Sequence, residues 1–429
     1  MKKLLLLLTL VIFIQGSPIA QKTYLHCGKL ITAENKKVQS EKTIVIEGNK
    51  IVDIQSGYTS PVDTDAVMID LKNHTVMPGL HDMHVHIEHQ SSKKRYEEGF
   101  RLNEADVALK ATIYCRKTLM AGFTSVRDLG GTGVNVSLGN AIAKGHIEGP
   151  RILTCEKAIA TTGGHADPTN GLRKDLKGDP GPKEGVINSP ADAIKAVRQR
   201  YKNGADCIKI TATGGVLSVA KDGQGPQFTD EEVKAIVEAA KEYGFVTAAH
   251  AHGAEGMKRA VEAGITTIEH GTKMTEEVMD LMIKNGTYYV PTITAGKYVA
   301  AKAKVAGFYP DVVVPKALEI GPMIQNTFAK AYKKGVPICF GTDAGVFPHG
   351  ENAKEFIYMN EVGMPVIETI IAATRVPAEI MSTIDKLGTL TVGKLADIIA
   401  VEGDPTEDVN VMLDVQFVMK DGEVYKTDF

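Results

Sequence analysis

The segment His81-Asp82-Met83-His84-Val85-His86, directly after Met77-Pro78-Gly79-Leu80, is where chemistry is most concentrated in the chain. On an extended strand, residues i and i+2 point to the same face. His84 and His86 can therefore offer two imidazoles to one metal ion, and imidazole is the commonest metal-binding side chain. A bare pair of this kind is more often a packed or surface feature than a site. Here, however, further residues able to bind a metal close other apolar, strand-like runs. Lys209 lies inside Cys207-Ile208-Lys209-Ile210-Thr211. His250 ends the run 245–250, His270 ends 265–270, and Asp343 ends 336–343. Parallel strands closed into a barrel would bring these ends together at one rim.

In that arrangement His84 and His86 bind one metal, and His250 and His270 bind a second. His252 shares the facing of His250 but sits further beyond the strand. Lys209 has two readings. It is a core-edge lysine whose amine reaches water, or it carries a carbamate formed from CO2, which turns the cation into a carboxylate able to bridge two ions. Asp343 is a turn residue, a helix cap or a partner of a buried base. Alternatively, it ligates one ion and takes a proton from the attacking water. The loop Thr161-Thr162-Gly163-Gly164-His165-Ala166-Asp167 has paired glycines that permit close backbone approach to a ligand. Within it, His165 is a solvent-facing residue or a group that binds substrate and steadies an oxyanion. Thr213-Gly214-Gly215-Val216 invites the same reading, with Gly164, Gly214 and Gly215 as substrate contacts. Arg127-Asp128 reads as a structural ion pair.

The elements that must position these residues alternate. Ser189-Pro190 opens a helix that Gly204 closes. Thr229 and Glu232 form a capping box ahead of the stripe Val233, Ile236, Val237, Ala240, and Gly244 ends that helix. Helices over 253–263 and 275–284 then alternate with strands. Strand candidates near 76–84, 122–128, 151–156, 207–212, 245–250, 265–270, 287–292 and 336–342 number about eight, which predicts an α/β fold with a (β/α)8 TIM-type barrel over 76–387. An open doubly wound sheet is the alternative, but no G-x-G-x-x-G turn supports it. Short strands over 21–75 and 388–429 predict a small β-sandwich domain built from both chain ends.

At 429 residues, one large domain plus a smaller one is the natural expectation. Composition is that of an ordinary globular protein, and a net charge of −3 excludes the clustered basic footprint of a nucleic-acid binder. Residues 1–20 read as a signal peptide. Lys2 and Lys3 precede an apolar run over 4–14 that is short for a membrane span, and Ala20-Gln21 is the expected cleavage point. The expected address is secreted or periplasmic, with no stable membrane insertion after cleavage. The five cysteines form no C-x-x-C pair and no complete disulfide framework.

With these residues in hand, the chain resembles the amidohydrolase superfamily over nearly its whole mature length. The matching motifs are Pro78-Gly79-Leu80 through His86, Lys209, His250, Ile268-Glu269-His270-Gly271, Gly341-Thr342-Asp343 and Gly393-Lys394-Leu395-Ala396-Asp397. It is most similar to the binuclear branch that contains Xaa-Pro dipeptidase-like carboxypeptidases and ochratoxin-hydrolysing amidases. Thr162-Gly163-Gly164-His165, Thr213-Gly214-Gly215-Val216 and Ala249-His250-Ala251-His252-Gly253 carry that finer likeness. The resemblance implies His84, His86 and Asp343 at one ion, His250 and His270 at the other, a carboxylated Lys209 as the bridge, and His165 on the substrate. It implies two divalent ions, with zinc expected. Two positions depart from the pattern: His81 stands where relatives carry an apolar residue, and Phe228 where many have a substrate-contacting tyrosine.

The resulting expectation is a metal-dependent hydrolase of the amide bond to a C-terminal amino acid in dipeptides or N-acyl amino acids. Its partner is that small-molecule or dipeptide substrate, and a homo-oligomer is compatible with the reading. A cyclic-amide or lactone hydrolase, a one-metal deaminase and a metal-free scaffold are the alternatives. Lys209 speaks against the deaminase, because one metal needs no bridging carboxylate.

Overall fold

The computed structural model describes residues 21–61, 64–219 and 223–429. The segment 1–20, with its expected signal peptide, lies outside the described residues. The chain begins with β1 (Lys22–Ile31), β2 (Val38–Glu47), β3 (Lys50–Ser56) and β4 (Val67–Pro78). Next come β5 (Leu80–Val85), α1 (Arg95–Arg101), α2 (Glu104–Met120), β6 (Phe123–Asp128), α3 (Val134–Ala143), β7 (Arg151–Thr154) and the short pair β8 (Ala160–Thr161) and β9 (Val186–Ile187). Regular alternation follows: α4 (Pro190–Asn203), β10 (Cys207–Thr211), α5 (Asp230–Glu242), β11 (Val246–Ala251), α6 (Ala254–Ala263), β12 (Thr267–His270), α7 (Glu276–Asn285) and β13 (Tyr288–Val290). Helices α8 (Ile293–Ala303), α9 (Val314–Lys334) and α10 (Lys354–Glu361) precede the closing strands β14 (Ile398–Glu402), β15 (Val415–Lys420) and β16 (Glu423–Thr427).

Local sequence chemistry sets most helix ends. Ser189 Oγ accepts from the Asp192 N–H at 3.1 Å, Pro190 takes the first helical position of α4, and Gly204 ends it at φ +87°. At α5 the Thr229 hydroxyl accepts from the Glu232 N–H at 3.3 Å, while the Glu232 carboxylate accepts from the Thr229 N–H at 2.9 Å. The stripe Val233, Ile236, Val237 and Ala240 is buried against the strands. Each of its larger side chains contributes about 1.5–3 kcal/mol by leaving water.

The central strands are parallel, in two runs: β5-β6-β7 and β10-β11-β12-β13. Single parallel bridges link Ile159 to Ile210, Tyr289 to Ile338, and Val85 to Ala344. The expected strand over 336–342 is therefore an extended segment with bridges rather than a regular strand. Pro337 lacks an N–H to give to a ladder, and Asp343 takes φ +64°. Its backbone still bonds both ways: the Cys339 N–H to the Tyr289 carbonyl at 2.9 Å, and the Phe340 carbonyl from the Met83 N–H at 3.1 Å. Beside these strands, both chain ends enter one seven-stranded mixed sheet, β16-β15-β14-β4-β1-β2-β3. That sheet has its own apolar cluster, including Leu25, Ile44, Leu71, Ala400 and Phe417. Strand β4 runs past the expected boundary at residue 75, because β14 pairs with it as far as Pro78. No described helix is long and apolar enough to cross a membrane.

Candidate metal centre

His84 lies at the end of β5 and His86 directly follows it, and a hydrogen bond on the far nitrogen fixes each ring. His84 Nδ1 bonds the Glu269 carboxylate at 2.8 Å, and His86 Nδ1 bonds the Gly130 carbonyl at 2.7 Å. Both rings therefore present Nε2, and these atoms lie 3.6 and 3.4 Å from Asp343 Oδ1. At the end of β12, His270 Nδ1 bonds the Thr292 hydroxyl at 2.7 Å, which leaves its Nε2 available as well. One donor atom from each of His84, His270 and Asp343 lies within 4.8 Å of the other two. His250, at the end of β11, is oriented differently. Its Nε2 faces the Gly214 carbonyl at 3.1 Å, so its available nitrogen is Nδ1. Lys209 of β10 completes the group and is 3% exposed. All six side chains, with His165, line one cavity of about 740 Å³.

The backbone around these residues is strained. His270, Thr292 and Asp343 have φ of +69°, +54° and +64°, a left-handed region that costs a non-glycine residue roughly 1–3 kcal/mol. Such strain persists only where the surroundings over-determine it.

Burial dominates the electrostatics. It lowers the pKa of His84, His250 and His270 well below the usual range and takes His86 and His165 down to about 3, each helped by neighbouring positive charge. These rings are neutral at physiological pH, the state in which imidazole binds a metal. Burial pushes the Asp343 carboxyl up against the opposing pull of Lys209, and pushes the Lys209 amine down against the pull of Glu269.

The donors fit a divalent cation. Asp343 Oδ1 is buried and, among the described residues, accepts no hydrogen bond although two imidazole nitrogens face it. An orphaned carboxylate oxygen of this kind is costly unless a cation satisfies it. Neutral nitrogens plus a carboxylate oxygen are the ligand chemistry of zinc and its neighbours.

A buried second layer holds the first. Glu269 accepts from His84 and also from Arg127 Nη2 at 2.9 Å and from the Thr267 hydroxyl. Arg127 Nε donates to the Met83 carbonyl at 2.8 Å. The expected Arg127–Asp128 ion pair is thus replaced by Arg127–Glu269, both fully buried. Adjacent residues on a strand point to opposite faces, so Asp128 turns away and accepts from the Ile87 N–H and from Asn135 Nδ2. Asp82 bonds the Thr342 hydroxyl and Asn352 Nδ2, tying β5 to the segment that carries Asp343.

Two of the glycines expected to touch substrate, Gly214 and Gly215, pack beside the histidines of the site. A Cβ on Gly215 would fall 2.1–2.4 Å from the His165 ring, so its absence makes room for that ring. His165 then stacks on His250 with centroids 4.3 Å apart. The Gly214 carbonyl serves His250, and the Gly164 carbonyl accepts from Asn170 Nδ2 at 2.6 Å. His252 lines the cavity too, bonded to the Thr272 hydroxyl at 2.9 Å. His81 is buried at the start of β5, away from the cavity, and Phe228 is buried in the core. His89 and Arg95, which no motif singled out, also line the cavity wall.

Three comparisons bear on this geometry. A model of the amidohydrolase family matches residues 75–425. The chain is 31% identical to an ochratoxinase of Aspergillus niger over 435 residues, covering 95% of this chain and 87% of that protein. Among solved structures, a Xaa-Pro dipeptidase with methionine bound in its active site is 55% identical, with a TM-score of 0.92 over 95% of this chain and 100% of that one. A prolidase complexed with N-methylphosphonate-L-proline is 30% identical, with a TM-score of 0.86 over 95% and 100% of the two chains. Strand ends that carry these neutral imidazoles, one lysine and one aspartate agree with what the comparisons find: the chain belongs to the amidohydrolase family.

Proposed function

We propose that this chain is an exported two-metal hydrolase that cleaves the amide bond to a C-terminal amino acid in dipeptides or N-acyl amino acids, ochratoxin-type amides included. The observation that carries the reading is the convergence of His84 Nε2, His86 Nε2 and the orphaned Asp343 Oδ1, with His270 and His250 facing the same space. His84, His86 and Asp343 would hold one divalent ion, and His250 and His270 the other. Zinc is the expected metal, and a carbamate on Lys209 is the expected bridge. Burial supports the carbamate, because it favours the neutral amine, the form that adds CO2. The three parallel bridges support closure of the central strands into a single eight-stranded barrel, with the sheet of the two chain ends as a separate small domain.

When bound, the ions supply Lewis-acid polarisation of the carbonyl and lower the pKa of the attacking water. The chain's own residues do the rest. Asp343 receives the proton of that water and passes it to the departing amine, which is a poor leaving group until protonated. His165 has a buried Nδ1 with no partner among the described residues, so it can hold the substrate at the oxygen where charge develops. The names of the two relatives, an ochratoxinase and a Xaa-Pro dipeptidase, support an amide that ends in an amino acid.

The test is a turnover screen of the zinc-loaded mature protein on dipeptides, N-acyl amino acids, lactones and cyclic amides. Release of free C-terminal amino acids is the expected result. Rapid opening of lactones or cyclic amides, with every dipeptide and N-acyl amino acid ignored, would overturn the substrate class.

A further inference from the structure

A substrate that ends in an amino acid brings a carboxylate within about three bonds of the scissile carbon. This carboxylate must sit close to the cavity floor, beside Asp343. Without a cation there, like charges would repel it and its desolvation would go uncompensated. The lysines and arginines that line the cavity are Arg95, Lys110, Lys157 and Lys209. Lys110 is held by Glu98 at 2.9 Å. Lys209 belongs to the metal-ligand set on the floor. Arg95, the first residue of α1, is half-buried. It has no ion-pair partner among the described residues, and the acids beside it are engaged elsewhere: Glu97 with Arg101 at 3.0 Å, Glu98 with Lys110. It lines the same cavity as His86, His89, His165 and Asp343. A half-buried guanidinium lining a metal-ligand cavity, with its donors uncommitted among the described residues, is placed to take a bidentate carboxylate.

We infer that Arg95 binds the α-carboxylate of the C-terminal residue and so selects substrates with a free carboxyl end. This deepens the proposed function and rests on it for the nature of the substrate. Apolar residues of the same cavity fix the side chain that best probes the site. Val216, Ala295, Val299, Ala317, Ile320 and Val346 line the cavity as one apolar cluster, suited to an unbranched apolar residue such as methionine.

The test uses N-acetyl-L-methionine and its carboxamide, N-acetyl-L-methioninamide. Binding is measured by calorimetry and turnover as kcat and KM, on the metal-loaded wild type, Arg95→Gln, Arg95→Lys and Lys157→Ala. Wild type should prefer the acid. Arg95→Gln should weaken binding of the acid by about 10–100-fold, as expected for loss of a charge-assisted pair. It should change binding of the carboxamide by no more than about threefold, with metal content and melting temperature unaltered. Arg95→Lys should restore part of the preference, since it keeps the charge and loses the fork. Equal binding of acid and carboxamide by wild type, equal weakening of both by Arg95→Gln, or loss of the preference in Lys157→Ala instead would overturn the assignment. The two claims fail separately. Arg95-dependent binding of the acid without release of methionine would sink the proposed hydrolysis and leave the carboxylate site standing. Hydrolysis that is indifferent to Arg95 would do the reverse.

Discussion

Asp343 shows how much one residue has to satisfy at this site. Its backbone is left-handed, its side chain is buried, and one carboxylate oxygen faces two imidazoles without accepting a hydrogen bond among the described residues. Asparagine tolerates the same backbone region and nearly the same volume but cannot carry the proton. Asp343→Asn should therefore keep the fold and lower kcat by at least about 10²-fold, the lower end for a general acid–base group. Steady-state kinetics alongside a melting curve checks this. Lys209→Ala should lose bound metal as well as activity, with short carboxylic acids restoring part of both. Metal analysis with and without added propionate reads it out. At this scale much was legible in the sequence. Histidine, lysine and aspartate at the ends of apolar runs are visible without a structure, and the structure brings them to one cavity. Glu269 and Arg127 were not legible as partners. Their ion pair joins residues of β6 and β12 that lie 142 positions apart in the sequence. The neighbouring Asp128 is the nearer acid in sequence, but it points to the other face.

Among the elements, helices were more readable than the sheet because their ends are set by residues three or four apart. The cap at Ser189, the box at Thr229 and Glu232 and the glycine at Gly204 are local hydrogen-bonding facts. The segment 336–342 was less readable. Its alternating bonds to two neighbouring strands and the turn at Asp343 depend on distant partners. The glycine-rich turns were read as ligand contacts, and at Gly215 the missing side chain also makes room for the site's own His165 ring. Gly215→Ala tests that use of the space. The residue has no positive φ to strain, and the atoms nearest the added methyl are those of the His165 ring, which it would meet at 2.1–2.4 Å. The variant and His165→Ala should both lose turnover, to about the same degree, while keeping nearly normal metal content. Wild-type activity in Gly215→Ala would mean that the ring is not needed where it stands.

For the whole molecule, the chain ends come together in one sheet beside the central strands, and the composition describes an ordinary globular protein. The five cysteines are buried and free. Burial pushes the thiols of Cys27, Cys115 and Cys207 up to about 12, and raises those of Cys155 and Cys339 as well. The thiolate is the reactive form. Iodoacetamide at pH 8 should therefore leave the folded protein unlabelled and modify all five thiols once it is denatured. Intact-mass measurement decides it, and labelling of the native chain would contradict the packing described here. The same mass spectrum of protein recovered after expression reads the proposed export, which requires a mature N-terminus near Gln21.

The central claim is that two ions together make the catalyst. Its most direct test is to titrate metal-free protein with zinc in the presence of bicarbonate and to follow release of methionine from N-acetyl-L-methionine. Activity should be absent without metal, rise with added zinc and level off at about two equivalents per chain, as a binuclear site requires. A plateau at one equivalent, or turnover that persists in the metal-free protein, would contradict it.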